Sequence, residues 1–369
     1  MLIDQHNRIH NYLRISLTDS CNFRCAYCMP NEEIECLPNS KLMSTGEIEQ
    51  IAKTFVDLGV KKIRLTGGEP LVRKEFPDIV QRLSKLPVEL TMTTNGVLVH
   101  KHIQLLKDAG IRSLNVSLDT LNPETFFKLT KRNQFQQVWD NILLLLEHGF
   151  RVKVNAVALN GIIEDELLDF VRITEKLPLH VRFIEFMPFS GNHWKSEKVI
   201  TAKQMLEVVQ AEMEVVKLQD QVHDTAKKYK VVGYEGTFAF ITTMSEHFCG
   251  DCNRMRITAD GKMKNCLFGK EEMDLLGTLR KGEDILPLIR LSIFRKHAML
   301  GGQFSPDYLK AEADKPKVVL KIGDRVRMID GKAVGTLDGI EKNKATVNYG
   351  VFTSKVSLDA LELVEAKKK

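Results

Sequence analysis

The sequence predicts an α/β fold: a partial (β/α)6 barrel, then a cysteine-bearing region, then a small all-β domain. Three observations predict it. Six β-type runs alternate with amphipathic segments over roughly the first 190 residues, and the alternation stops after Phe186. About the last fifty residues alternate short β-rich runs with Gly- and Asn-containing turns, the pattern of a small barrel.

The strand-like runs are 13–18, 62–66, 89–94, 113–118, 152–159 and 181–186, and they read as near-continuous apolar segments. Between them, 45–58, 103–109, 135–148 and 164–175 place apolar residues three and four apart, the period of a helix with one buried face. Apolar strands alternating with helices imply parallel βαβ units covered on both faces. Chemistry in that architecture sits on loops at the C-terminal ends of the strands. Beyond Phe186, 187–230 reads as mixed helix and loop. Runs 231–242 and 255–264 read as antiparallel strands around a second group of cysteines, and 273–299 returns to helix. The expected domains are therefore 1–190, 191–304, a polar linker at 305–317, and 318–369.

The bulk figures exclude several classes. With 43% hydrophobic and 27% charged residues, the chain has the balance of an ordinary soluble protein. The opening MLIDQHNRIHNYLRI lacks the basic start and apolar core of a signal peptide, and no apolar run could span a bilayer. No membrane association is expected. Seven cysteines, odd in number and clustered, argue against a disulfide framework and for metal chemistry in a reducing compartment, so a cytoplasmic location is expected. A net charge of +5 is mild and fits a pocket for an anionic small molecule; nucleic acid is not expected.

Two cysteine groups carry the chemistry. Cys21, Cys25 and Cys28 follow the first strand directly, in TDSCNFRCAYCMP. Thiolates at this spacing can hold three corners of a [4Fe–4S] cube and leave the fourth iron open; a zinc knuckle with a remote fourth ligand is the alternative. Cys249, Cys252 and Cys266 form a second triplet, with zinc again the alternative because His247 is near. Arg254 and Arg256 lie on one face of a strand beside that triplet, and two fixed guanidiniums make a site for an anion or a purine edge. In TGGEPL, two glycines would let backbone approach a ligand closely, and Glu69 offers a carboxylate for an ammonium. Arg14, Arg64, Lys153 and Arg182 each fall on a barrel strand, where a cation is costly without an anion.

The spacing Cys21-x3-Cys25-x-Tyr27-Cys28 together with TGGEPL resembles the radical S-adenosylmethionine (SAM) superfamily, and so the first part of the chain a TIM-like radical SAM barrel. Adding the second triplet and Arg254-x-Arg256, the chain from about Leu13 to Gly302 resembles the GTP 3′,8-cyclase (MoaA) family of molybdenum cofactor biosynthesis. That resemblance implies two [4Fe–4S] clusters and SAM as cofactors. It also implies GTP as substrate, lying between the clusters with its guanine against the open iron of the second. The implied reaction takes hydrogen from ribose C3′ with the 5′-deoxyadenosyl radical and closes a bond to guanine C8. Tyr27, Gly68, Glu69, Ser117 and Met187 match SAM contacts of the family; Arg14, Arg64, Thr93, Lys153, Arg254, Met255 and Arg256 match GTP contacts, with Lys62 and Arg182 beside them. Arg254, Arg256 and Arg14 are the expected catalytic residues. Flavodoxin or ferredoxin as reductant, the cyclic pyranopterin monophosphate synthase that receives the product, and a homodimer are the further partners implied.

Two departures stand out. Ser20 occupies a position where the family usually has arginine. The family ends in a Gly-Gly tail that enters the active site, whereas this chain runs 67 residues beyond Gly301–Gly302 and ends in AKKK. The expectation is SAM cleavage with little cyclised product. The extension resembles a small SH3-like or KOW-type barrel, such as closes a family of DNA-processing ATPases, yet from Lys317 on eleven Lys/Arg against seven Asp/Glu are too near neutral to argue nucleic-acid binding. Two other readings remain: a radical SAM maturase of a peptide or other small molecule, and a non-catalytic iron–sulfur or zinc protein whose β tail recruits a partner.

Overall fold

The structure is a computed structural model that describes residues 1–28, 36–188, 199–303, 320–328, 333–341, 344–350, 353–357 and 361–365. The chain divides into two compact units, Met1–Leu309 and Lys310–Lys369. The linker expected at 305–317 lies outside the described residues.

In the first unit, six strands follow one another with helices between: β1 (Tyr12–Ser16), β2 (Lys62–Thr66), β3 (Glu89–Thr94), β4 (Ser113–Ser117), β5 (Arg151–Ala158) and β6 (His180–Glu185). All neighbours in this series pair in parallel. The helices are α1 (Thr45–Asp57), α2 (Phe76–Leu83), α3 (Ile103–Asp108), α4 (Pro123–Thr130), α5 (Phe135–Glu147) and α6 (Ile163–Arg172). Local chemistry starts two of them. Ser44 and Glu47 close a reciprocal capping box on α1, and Asn122 accepts from the N–H groups of Glu124 and Thr125 at the start of α4.

The region after Phe186 joins the same sheet. It contains α7 (Ala202–Glu212), β7 (Val215–Lys217), β8 (Ala226–Val231), β9 (Thr237–Ile241), β10 (Arg254–Ile257), β11 (Lys262–Lys264), β12 (Met273–Asp274), α8 (Leu275–Arg280) and α9 (Leu286–Phe294). The sheet order is β12-β11-β10-β1-β2-β3-β4-β5-β6-β9-β8-β7. Here the structure corrects the reading of 231–242 and 255–264 as two simple antiparallel strands. Each run is broken by a turn, at Gly233 and Gly261, both with positive φ. The resulting strands are antiparallel to their hairpin partners, while β9 and β10 pair in parallel with β6 and β1.

A second correction concerns the strands' two faces. They are not apolar throughout: β1, β5 and β6 alternate between buried and half-buried residues. Leu13, Ile15, Val152, Val154, Val181 and Phe183 face a core shared with Ile48, Phe55, Ile142 and Phe170 of the helices. Tyr12, Arg14, Lys153, Asn155, His180 and Arg182 occupy the other face, half-buried. The inner face of this barrel is a polar lumen rather than a packed interior.

The second unit holds β13 (Arg325–Met328), β14 (Val334–Glu341), β15 (Lys344–Asn348), β16 (Thr353–Ser357) and β17 (Leu361–Glu365). They form one antiparallel sheet in the order β16-β15-β14-β13-β17 around Leu320, Val326, Leu337, Ala345, Val347 and Leu361.

Candidate active site: two cysteine triplets and a cationic lumen

The first triplet sits on the loop leaving β1. Its backbone is pinned to the end of α4, where Arg24 and Ala26 donate N–H bonds to the carbonyls of Thr130 and Leu129, both at 2.9 Å. Phe23 meets Phe126 edge to face at 5.6 Å. Asn95, after β3, donates to Asn22 Oδ1 at 2.6 Å and reaches toward Cys21 Sγ at 4.0 Å. The Tyr27 hydroxyl donates to Asp119 Oδ2 at 2.5 Å, and Asp119 also accepts from Val157 N–H at 2.9 Å. The loop is thus held by β3, α4 and the loop after β4 before any ligand is present.

The glycines of TGGEPL lie against the backbone of the Thr18–Ser20 loop. A Cβ on Gly67 would lie 2.7 Å from the Thr18 carbonyl oxygen, and one on Gly68 only 2.3 Å from that of Ser20. In that space Gly68 and Glu69 donate N–H bonds to Thr18 and Ser20, at 2.7 and 2.9 Å, so the two loops lie backbone on backbone. Glu69 is 1% exposed, and its carboxylate already accepts from Leu71 N–H, Thr94 Oγ1 and Asn95 N–H. Burial raises its pKa to about 7 against those donors. The sequence offered this carboxylate to an ammonium; the structure also makes it the clamp between the β2 and β3 loops.

The second triplet follows β9 and spans β10–β11, with Cys249 opening a 3₁₀ turn. A clamp invisible in the sequence holds it. The Arg8 guanidinium donates to the carbonyls of Cys249, His297 and Ala298, each at 2.8 Å, and pairs with buried Asp4 at 2.7 Å. Leu300 N–H points at Cys249 Sγ at 3.4 Å, as Phe23 N–H does at Cys21 Sγ. Burial pushes the Cys252 thiol up, but Lys296 and Arg254 outweigh it and hold the pKa at about 6. His247 and Cys36 are exposed, and among the described residues no three His, Cys, Asp or Glu side chains converge on a single ion. Within each triplet the thiols are near enough to disfavour one another's ionisation. Two sets of three such thiols, each with an N–H aimed at a sulfur, fit iron–sulfur clusters.

Gly301–Gly302 is built into this site. The pair forms part of a 3₁₀ turn with positive φ at both glycines, and a Cβ on Gly301 would meet Gly269 backbone at 2.6 Å.

Between the triplets, strand register gathers the cations. Arg254, Tyr12 and Lys62 form one row across β10, β1 and β2; Arg256, Arg14 and Arg64 form the next, with Lys264 extending it on β11. Thr93, Asn115, Lys153 and His180 form a further row on β3–β6. Arg64 donates to Tyr12 Oη, to Met92 O at 3.0 Å and to Thr93 Oγ1 at 3.4 Å; Arg182 donates to Asn155 Oδ1 at 2.5 Å. Arg254 lies over the Phe248 ring at 4.5 Å. Lys62 has its own anion in Glu89 at 2.9 Å. Among the described residues no carboxylate ion-pairs with Arg14, Arg64, Lys153, Arg182, Arg254 or Arg256, and Arg14 Nε and Arg182 Nε have no hydrogen-bond partner.

The electrostatic cost shows in the acidities. Burial, then Arg256 and Arg64, pushes Arg14 well below the usual guanidinium range. Burial also lowers Arg256 to about 10, with Arg254 adding to it; Arg182 to about 9, with Arg64; and Lys153 to about 8, with Arg182 and Arg64. Arg14, Arg256 and Lys264 line a cavity of about 400 Å³ together with Gly67, Asp19 and Asp260. Met255 is the exception among the predicted contacts: its side chain is 0% exposed in the core, because alternate residues of a strand point to opposite faces. Ser117 ends β4 and Met187 follows β6, both half-buried at the end of the barrel where the first triplet lies. Arg8, Asp119, Asn95 and Lys296 were missed, since isolated polar residues in loops carry no spacing signal.

Residues 15–173 match the Radical SAM superfamily and residues 179–299 match Molybdenum Cofactor Synthesis C. Over 325 residues the chain is 45% identical to "GTP 3',8-cyclase, mitochondrial" of Arabidopsis thaliana, covering 86% of this chain and 83% of that protein. Against "GTP 3',8-cyclase" of Desulforamulus reducens it is 44% identical over 287 residues, 76% of this chain and 88% of that protein. Against human "Molybdenum cofactor biosynthesis protein 1" it is 45% identical over 328 residues, 87% of this chain but 51% of that protein, so the chain spans about half the length of such relatives. The crystal structure of Streptococcus suis SuiB superposes with a TM-score of 0.54 at 18% identity, over 81% of this chain and 69% of that one, which shows the fold alone. Two cysteine triplets around a cationic lumen and matches along both halves of the large unit lead to one assignment: the chain belongs to the GTP 3′,8-cyclase family of the radical SAM superfamily.

Proposed function

We propose that this protein converts GTP to its 3′,8-cyclised dihydro derivative, the first step of molybdenum cofactor biosynthesis. One observation carries the reading beyond family membership. Six cations share a half-buried lumen between two cysteine triplets, without a carboxylate to pair with among the described residues. Such a cluster is tolerable only if a polyanion completes it. A nucleoside triphosphate supplies the charge, and its base and ribose give the length to lie between the triplets. A peptide substrate would match that density of negative charge only through a run of acidic residues.

Cys21, Cys25 and Cys28 would hold one [4Fe–4S] cluster and Cys249, Cys252 and Cys266 the other. When bound, the first cluster with SAM supplies a 5′-deoxyadenosyl radical able to take hydrogen from ribose C3′. Tyr27, Gly68, Glu69, Ser117 and Met187 are assigned to SAM. For Gly68 and Glu69 the assignment falls on backbone groups and remaining carboxylate capacity, given the bonds already made. Arg14, Arg64, Thr93, Lys153, Arg254 and Arg256 are assigned to GTP, and Met255 through its main chain alone. Arg182, with an unpartnered Nε, is a stronger member than Lys62, which Glu89 neutralises. Arg254, Arg256 and Arg14 would orient the purine and phosphates so that C3′ and C8 approach.

Further elements of the reading are proposals of the same kind. They are a flavodoxin or ferredoxin donor, transfer of the product to a cyclic pyranopterin monophosphate synthase, a homodimer and a cytoplasmic location. Among the described residues no helix is long and apolar enough to cross a membrane, while the plant relative is named as mitochondrial. A division near residue 190 is supported by the change of matching family between 173 and 179. The SH3-like reading of 318–369 is supported only by its five antiparallel strands. The test is anaerobic reconstitution with GTP, SAM and dithionite. Formation of 5′-deoxyadenosine with a cyclised GTP product, by the full chain alone or on addition of a synthetic peptide ending in Gly-Gly, is expected; SAM cleavage with GTP recovered unchanged in both cases would overturn the reading.

A further inference from the structure

Lys296, just beyond α9, is 2% exposed, and neither motif nor resemblance gives it a role. Its ammonium donates to Arg254 O at 2.8 Å and reaches Cys252 Sγ at 3.5 Å. An ammonium withdrawn from water is costly unless charge and hydrogen bonds replace the solvent. Among the described residues no carboxylate ion-pairs with it, and the nearby Arg8 cation makes matters worse. The negative charge that favours its presence is that of the cysteine sulfurs, Cys252 first and Cys266 next.

We propose that Lys296 is a positioning residue that sets the reduction potential of the second cluster. The inference rests on the two-cluster reading above. A positive charge hydrogen-bonded to a ligating sulfur favours the more negative, reduced state of a cluster, and it acts strongly where water is excluded. The same ammonium grips the main chain of Arg254, the first residue of β10, which presents Arg254 and Arg256 to the lumen. One buried cation therefore ties the sulfur of the cluster to the strand assigned to the substrate.

The test uses full-length protein reconstituted anaerobically, with iron analysis and an EPR-monitored redox titration of wild type, K296M and K296R. Wild type is expected to hold about eight irons, as two [4Fe–4S] clusters. K296M should keep both clusters but shift the second midpoint to lower potential, K296R should stay close to wild type, and the first midpoint should not move. Loss of the second cluster from K296M with retention in K296R also supports the proposal, because charge rather than bulk is then what the site needs. An unshifted second midpoint in fully loaded K296M overturns it, as does equal loss of the second cluster from both variants. Wild-type protein holding only about four irons would overturn the two-cluster reading itself, and the inference with it.

Discussion

Arg254 and Arg256 show how a single residue's position on a strand becomes chemistry. Both side chains stand on the lumen face while Met255 between them is buried in the core. Replacing either by alanine removes a charge-assisted contact to the proposed triphosphate, worth about 1.5–3 kcal/mol. GTP affinity should fall by roughly ten- to a hundredfold, measured by equilibrium dialysis, with reductive SAM cleavage retained. Wild-type affinity in both variants would remove them from the site. Lys153 yields a pH prediction. Burial and its cationic neighbours lower its pKa from 10.5 to about 8 in the folded protein, so the unfolded chain binds more protons between those values. Stability of the ligand-free protein should therefore rise as pH increases through that window, and K153M should lose part of the rise in thermal melts. Added inorganic triphosphate should flatten the slope, because an anion favours the charged lysine.

At the scale of elements, residues within the strands carry the cations, while the ends of the strands position the cysteine loops. Glu185, the last residue of β6, is 2% exposed and accepts from Thr243, Met244 and Ser245 N–H, on the loop that leads to the second triplet. Glu185→Ala would leave these donors unmet in a buried setting, at about 1–3 kcal/mol for each that water cannot reach. The expected result is a melting temperature lower by several degrees, and iron lost from the second triplet before the first. Equal loss from both would show that the loop does not act locally. The Gly67–Gly68 contact works in the same way, by requiring two strand-end loops to lie against each other without side chains between them.

At the scale of the whole molecule, the two units have separate cores, one running through the large sheet and its helices, the other confined to the small sheet. A chain ending at Leu309 should therefore keep its far-UV spectrum and reductive SAM cleavage, and its melting transition should match the larger transition of the full chain. Failure of that truncation to fold would show that the small unit is needed for the stability of the large one. Gly301–Gly302 bears on the same boundary. The pair is held in a turn against Gly269, so Gly301→Ala should disturb the second triplet, read as lower iron occupancy.

How much of this was legible in the sequence depended on whether the signal was local. The six βα units, the strand-to-loop position of Cys21, Cys25 and Cys28, and the facing pair Arg254 and Arg256 follow from spacing, since side chains two apart share a strand face and thiolates close together share a metal. The hydrophobic pattern also placed α1, α3, α5 and α6, because burial repeats with the helical period, while the shorter α2 and α4 were not among the helices read from it. What no local pattern holds is which face of a strand meets water and which distant groups meet one another. Only the folded sheet puts Arg256 beside Arg14 and Arg64, and only there do six cations gather with no carboxylate ion-paired to them among the described residues. The pairing of β9 and β10 with β6 and β1, the Arg8 clamp across some 290 positions of chain, and Lys296 against Cys252 are likewise tertiary. Each joins residues remote in sequence, where charge and hydrogen bonding are decided by proximity in space rather than by periodicity along the chain.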